Sequence, residues 1–212
     1  LRQRGQPGMS HVDGRHARIH FRQEGTGPDV VWVSGAGGTI GSWDAYQIPY
    51  FRQWYRNTTF DCRGVGGTST EQPLPWDIAD FSQDVIDLIE AACTPPVAII
   101  GLSFGGGIVQ QVAIDRPDLL ACVITMGTGA VSRGWTWDYQ MAEIEWRRAG
   151  NRLDGMMAVT HYAAMYYPAR VLGDPVLWPR LRAELLEYYQ TDTAEDSLIA
   201  QWLPCEIGRA HV

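Results

Sequence analysis

The chain of 212 residues contains no lysine; all 17 of its basic residues are arginine. A phosphate loop of the Gly-Lys-Ser/Thr kind is therefore excluded, because its lysine must reach the phosphates. The arginine bias otherwise points to GC-rich coding DNA and carries no mechanism. Cysteine is sparse: Cys62, Cys93, Cys122 and Cys205 are widely separated, with no Cys-x-x-Cys. That spacing argues against a disulfide frame or a metal site, and for buried thiols in a cytoplasmic protein. No apolar run reaches the roughly 20 residues that a membrane span needs, and no basic-then-apolar signal pattern occurs. With a net charge of −7, neither nucleic acid nor an anionic membrane is an expected partner. The arginines between Arg2 and Arg22 are scattered and read as a solvated face. Internal repeats and low-complexity segments are also missing. What is left is ordinary globular composition, 45% hydrophobic and 19% charged, enough for one core and an inserted subdomain.

Glycine, by contrast, is concentrated where it matters. Gly101-Leu102-Ser103-Phe104-Gly105 reads Gly-x-Ser-x-Gly. Val97 to Ile100 before it is a short apolar run, as a strand buried on both faces should be. Ile108, Val109, Val112 and Ala113 after it keep helical spacing, and Pro117 marks the stop. A strand–turn–helix bend this tight strains the serine backbone, and Gly105, Gly106 and Gly107 relieve the crowding. The pattern is that of a nucleophile elbow, with Ser103 held clear of the sheet edge.

The remaining segments alternate strand and helix. Arg18 to Gln23 has the alternation of an outer strand, and Val30 to Val33 is a buried strand running into Ser34-Gly35-Ala36-Gly37-Gly38. A helix is predicted over Ser42 to Trp54, with Trp43, Tyr46 and Trp54 as anchors, then a strand over Thr58 to Cys62. Trp76 to Cys93 is amphipathic, with Asp77 and Asp80 at the positive end of the helix dipole, and Cys122 to Met126 is a further strand. Such alternation predicts an α/β fold: a mostly parallel sheet with helices on both faces. From Trp135 to Leu203 only helical periodicity appears, which predicts a lid or cap. The expected domains are thus a core over 9–129 and a helical cap over 130–205. Trp43, Trp135, Trp137 and Tyr162, with Gly35 and Gly37, are candidate pocket residues, although most cap aromatics are expected simply to pack.

Both ends invite exclusion from fold reasoning. Leu1 to Gly8 precede the first Met, Met9. Ile207 to Val212 matches the translation of a common sequencing adapter, so 206–212 is expected to be read-through and His211 is given no chemistry.

In this order, the turn at Val30 to Gly38, the string Asp61-Cys62-Arg63-Gly64-Val65-Gly66, the elbow and Arg116-Pro117 resemble the α/β-hydrolase family. The likeness is to members with a helical cap after the sixth strand, such as enol-lactonases and related esterases. It implies Ser103 as nucleophile and the backbone N–H groups of Phe104 and Ala36 as the oxyanion hole, with Gly35, Gly37 and Gly38 allowing close approach. No cofactor and no metal are implied, and the substrate would be a small apolar ester or lactone. Where the family usually has His-Gly, this chain has Ser34-Gly35. Asp61 and Arg63 are expected to serve a structural turn. Serine at the elbow disfavours dehalogenase and epoxide hydrolase chemistry, which uses Asp there. C–C bond hydrolysis, a perhydrolase reaction, or a non-catalytic ligand-binding relative stay open.

The triad's acid and histidine are not found in order after Ser103. Gly127-Thr128-Gly129 follows the strand ending at Met126, and His161 falls within the cap pattern. His11, His16 and His20 precede the core. The acid and histidine are expected beyond residue 205, with the last strands absent, so this chain alone is expected to be inactive. Its strand at Cys122 to Met126 would then be an exposed, aggregation-prone edge.

Overall fold

The computed structural model describes residues 9–188 together with 198, 199 and 201. Its strands are β1 (Met9–Asp13), β2 (Ala17–Glu24), β3 (Asp29–Val33), β4 (Arg56–Phe60), β5 (Ser69–Thr70), β6 (Val97–Leu102) and β7 (Leu120–Met126). The helices are α1 (Gln47–Phe51), α2 (Ile78–Ala92), α3 (Phe104–Asp115), α4 (Trp135–Arg148), α5 (Gly155–Tyr166), α6 (Ala169–Leu172) and α7 (Leu177–Tyr188). The sheet order is β1-β2-β4-β3-β6-β7, with the two-residue β5 pairing β2. Four strands, β4, β3, β6 and β7, run parallel, while β1, β2 and β5 pair antiparallel. This is the expected α/β architecture. Leaving out the short β5, the helical segment follows the sixth strand.

Alternation along the central strands sorts the core into two layers. Val31 and Val33 of β3 and Val97 and Ile99 of β6 meet Phe81, Val85, Leu88 and Ile89 of α2 and Ile108, Val109 and Val112 of α3. Val30, Trp32 and Ile100 point to the other face, where Trp43 and Ile48 cover them. Burial on both faces is why these strands read as continuous apolar runs. β4 is different: Asn57, Thr58 and Thr59 are polar yet buried. Asn57 and Thr58 are tolerated because partners exist, whereas Thr59 Oγ1 is buried with no hydrogen-bond partner among the described residues. Asn57 Oδ1 accepts the Trp32 indole N–H at 2.9 Å, and Thr58 Oγ1 accepts from Gln23 at 3.0 Å.

The single helix expected over Ser42 to Trp54 is two pieces, a 3₁₀ turn at Ile40–Trp43 and α1. Pro49 explains the break. It has no N–H to bond back four residues, so it fits only the first turn of a new helix. α2 starts with a reciprocal cap: Asp77 accepts the Asp80 N–H and Asp80 accepts the Asp77 N–H, at 3.0 and 2.9 Å.

Two compact units divide the chain. The first holds the described residues up to Met141 plus Leu198, Ile199 and Gln201; the second lies within Ala142–Asp192. Division thus falls inside α4. The second unit buries Ile144, Ala158, Val159 and Ala163 around a polar knot. There the Tyr162 hydroxyl donates to Glu143 Oε1 at 2.6 Å and Arg147 donates to the same oxygen at 3.0 Å. Burial, then the neighbouring Glu143, pushes the Tyr162 phenol above its ordinary range.

Candidate active site

Ser103 sits between β6 and α3 with φ 53° and ψ −118°, the one non-glycine residue with positive φ among the described residues. A bare backbone around it makes that pose possible. A Cβ on Gly101 would stand 2.3 Å from Gly105 O, and one on Gly105 would stand 2.3 Å from Val33 O and 2.4 Å from Ser34 O. The first turn of α3 therefore presses directly on the end of β3, and Cβ-free residues are the condition for it. The Ser103 N–H donates to Met126 O and its carbonyl accepts from the Gly106 N–H, each at 2.9 Å. Its side chain faces outward: the residue is exposed, and Oγ has no hydrogen-bond partner among the described residues.

The turn after β3 flanks that hydroxyl. A Cβ on Gly35 would lie 3.4 Å from Ser103 Cβ and 4.0 Å from its Oγ. Gly38 N–H donates to Gly35 O at 3.0 Å, and Gly37 between them has φ +72°. A positive φ at the third position is what a type II turn demands. The N–H groups of Ala36 and Phe104 donate to nothing among the described residues. For Phe104 the reason is general, since the first N–H groups of a helix lie outside its own ladder. An exposed hydroxyl beside two unengaged backbone donors at a helix N-terminus can form a covalent adduct and hold negative charge next to it.

Side chains from β4 and beyond brace this edge. Asp61 Oδ1 accepts the Ile40 N–H at 2.7 Å, while Oδ2 accepts the Gly67 N–H at 2.8 Å and meets His20 Nδ1 at 2.8 Å. Arg63, 1% exposed, donates to both oxygens of Asp84 at 2.9 and 2.7 Å, pinning the turn to α2. Burial pushes the Asp84 carboxyl up, and Arg63 opposes it.

Trp43, Trp135, Trp137 and Tyr162 are the other expected pocket residues. Trp43 is 3% exposed, packs on Trp32 at 5.0 Å and donates its indole N–H to Ser34 Oγ at 2.9 Å. It is thus a packing residue beneath the turn. Trp135 is exposed and stacks on Tyr139 at 5.3 Å; Trp137 is half-buried. Tyr162 belongs to the interior of the second unit, and His161 of the same helix lies edge-on against it. His211 and Cys205 fall outside the described residues. Sequence reasoning missed two residues. His20 pairs with Asp61, for which strand pairing was the available signal, and Gln201 bonds Gly37 from far along the chain.

A shallow groove lies at the opposite end of the parallel strands, lined by Thr26, Pro28, Asp29, Arg56, Thr94 and Pro96. Asp29 is already consumed there, by Arg56 at 2.6 Å and by the Thr94 N–H at 2.7 Å. Ligands of open α/β sheets bind at the carboxyl ends of strands, where Ser103 stands. Among the described residues no helix is long and apolar enough to cross a membrane.

The sheet and turn define a class: an α/β fold with a strand–serine–helix elbow at its carboxyl edge. The chain belongs to the alpha/beta hydrolase family, whose model matches residues 30–208. It is similar to a Mycobacterium tuberculosis protein bearing the provisional name non-heme bromoperoxidase BpoC, with 32% identity over 137 residues, covering 64% of this chain and 51% of that protein. The chain thus spans about half the length of this curated relative. A solved M. tuberculosis structure superposes with TM-score 0.81 at 25% identity, over 94% of this chain and 73% of the other. The enol-lactonase from Burkholderia xenovorans LB400 shares the fold, with TM-score 0.70 at 18% identity over 95% of this chain and 75% of its own.

Proposed function

We propose that this chain carries the nucleophile and the oxyanion donors of a serine hydrolase acting on a small carboxylic ester or lactone. Ser103 Oγ attacks the acyl carbon, and its proton passes to a general base. Negative charge develops on the former carbonyl oxygen, which the Phe104 and Ala36 N–H groups receive. Collapse expels the alcohol, and water then releases the acid. Loss of one such donor costs about 3 kcal/mol of barrier lowering. The observation that carries this reading is the left-handed pose of Ser103, with an unpartnered hydroxyl beside two unengaged donors. Strain of this kind persists where function requires it.

No described histidine or carboxylate bonds Ser103 Oγ. The proposal accordingly assigns base and orienting acid to the longer parent protein and expects negligible turnover from this chain alone. The test is hydrolysis of a short p-nitrophenyl ester by the parent, its Ser103→Ala variant and this chain. A fluorophosphonate probe should label Ser103 in the parent, and S103A should lose at least about a thousandfold in kcat/KM. Undiminished turnover by S103A, or robust turnover by this chain, would overturn the assignment. Binding of an ester by an unlabelled, inactive parent would identify a ligand-binding relative instead.

A further inference from the structure

Gln201 is fully buried and is shared between two turns. Its Oε1 accepts the Gly37 N–H at 2.7 Å, and its Nε2 donates to Arg63 O at 2.9 Å. The first turn follows β3 and contains Ala36; the second follows β4 and is anchored through Arg63 to Asp84. Leu198, one helical turn earlier in sequence, comes so near Gly37 that a Cβ there would lie 2.8 Å from its Cδ2. We propose that Gln201 is a positioning residue for the oxyanion hole: by fixing the Ala36–Gly37 peptide it holds Ala36 Cα, the pivot shared with the Gly35–Ala36 peptide, whose N–H thereby stays aimed beside Ser103.

Three observations support this. First, the bond engages the N–H of the peptide whose orientation separates a type II turn from a type I turn, and the Gly37 φ of +72° is the type II value. Rotating that peptide would break the bond to Gln201 and strand a buried amide oxygen. Second, the engagement of Gly37 is selective. Its N–H is taken while that of Ala36, the preceding residue, is left unengaged. Third, the residue at 201 must accept and donate at once. A carboxamide of this length does both, whereas a carboxylate would set an oxygen against Arg63 O and a thioether would do neither.

The inference rests on the reading of Ala36 as an oxyanion donor, so its test carries Ser103→Ala alongside. In the parent protein, Gln201→Met keeps the volume and removes both bonds. Expected is a roughly 10- to 100-fold fall in kcat with KM within about twofold, because a displaced donor is felt chiefly in the transition state. A trifluoromethyl ketone, whose adduct with Ser103 places an oxyanion in the hole, should weaken by the same factor. A non-reacting amide analogue should bind as before. Hydrogen exchange at the Gly37 amide of the parent protein, read by NMR, should accelerate in Q201M. Wild-type kcat and ketone affinity in Q201M, with S103A inactive, would overturn the inference alone; an active S103A would overturn the functional reading beneath it. Should Q201M not fold, Gln201→Glu, which keeps the acceptor for Gly37, should hold ketone affinity near wild type, and a fall like that expected of Q201M would overturn the inference.

Discussion

The elbow at Ser103 and the turn at Gly35–Gly38 flank the same hydroxyl, yet they are held by opposite means. At the elbow, backbone meets backbone: Gly105 lies against Val33 O and Ser34 O, and Gly101 against Gly105 O. The neighbouring turn is held by side chains that arrive from elsewhere, Asp61 on Ile40, Trp43 on Ser34 and Gln201 on Gly37. A turn built by steric contact tolerates no added atom, whereas one built by hydrogen bonds weakens in steps as ties are removed. Rigidity at the nucleophile and adjustability at the donor follow from that difference.

The largest effect should come from Gly105→Ala. A methyl 2.3 Å from Val33 O forces α3 off the sheet, and a loss exceeding about 3 kcal/mol is expected, enough to abolish a cooperative thermal transition. A variant melting like the parent chain would break the contrast. Next, Asp61→Asn should cost about 1–3 kcal/mol in urea titration, because its amide group must face the Gly67 N–H or the Ile40 N–H as a second donor. A loss as large as that of G105A would mean that both turns are equally brittle.

The smallest effect sharpens the picture through the thiols. Burial, then the charges of Asp84 and Asp61, pushes Cys62 up to about 12, and burial pushes Cys93 up to about 11. Both keep their protons in the fold at pH values where an unfolded chain has lost them. Stability should therefore fall as pH rises from about 9 through that range. At pH 8, iodoacetamide should modify exposed Cys122 and spare Cys62 and Cys93, read by mass spectrometry. Rapid labelling of Cys62 would show that the turn after β4 opens readily.

Much of this was legible in the sequence wherever the cause is local. The elbow occupies one contiguous string, and the periodicities of α2, α4 and α7 are intact along their own segments. Elements that depend on distant partners were not. β1 is exposed along most of its length and offers no apolar alternation, so only pairing with β2 reveals it. The buried polar face of β4 reads as surface until Trp32 and Gln23 are placed beside it. Gln201 lies 164 positions from Gly37, and nothing in its own neighbourhood marks it as a brace.

The pose of Ser103 also acts as a filter on composition. At φ 53° a side chain forked at its β-carbon meets the backbone, so threonine is barred although it offers the same functional group. Only heads carried on a single unbranched methylene, such as serine, cysteine or aspartate, can stand at this bend. The choice of reactive atom is thus narrowed by main-chain shape before any reagent arrives.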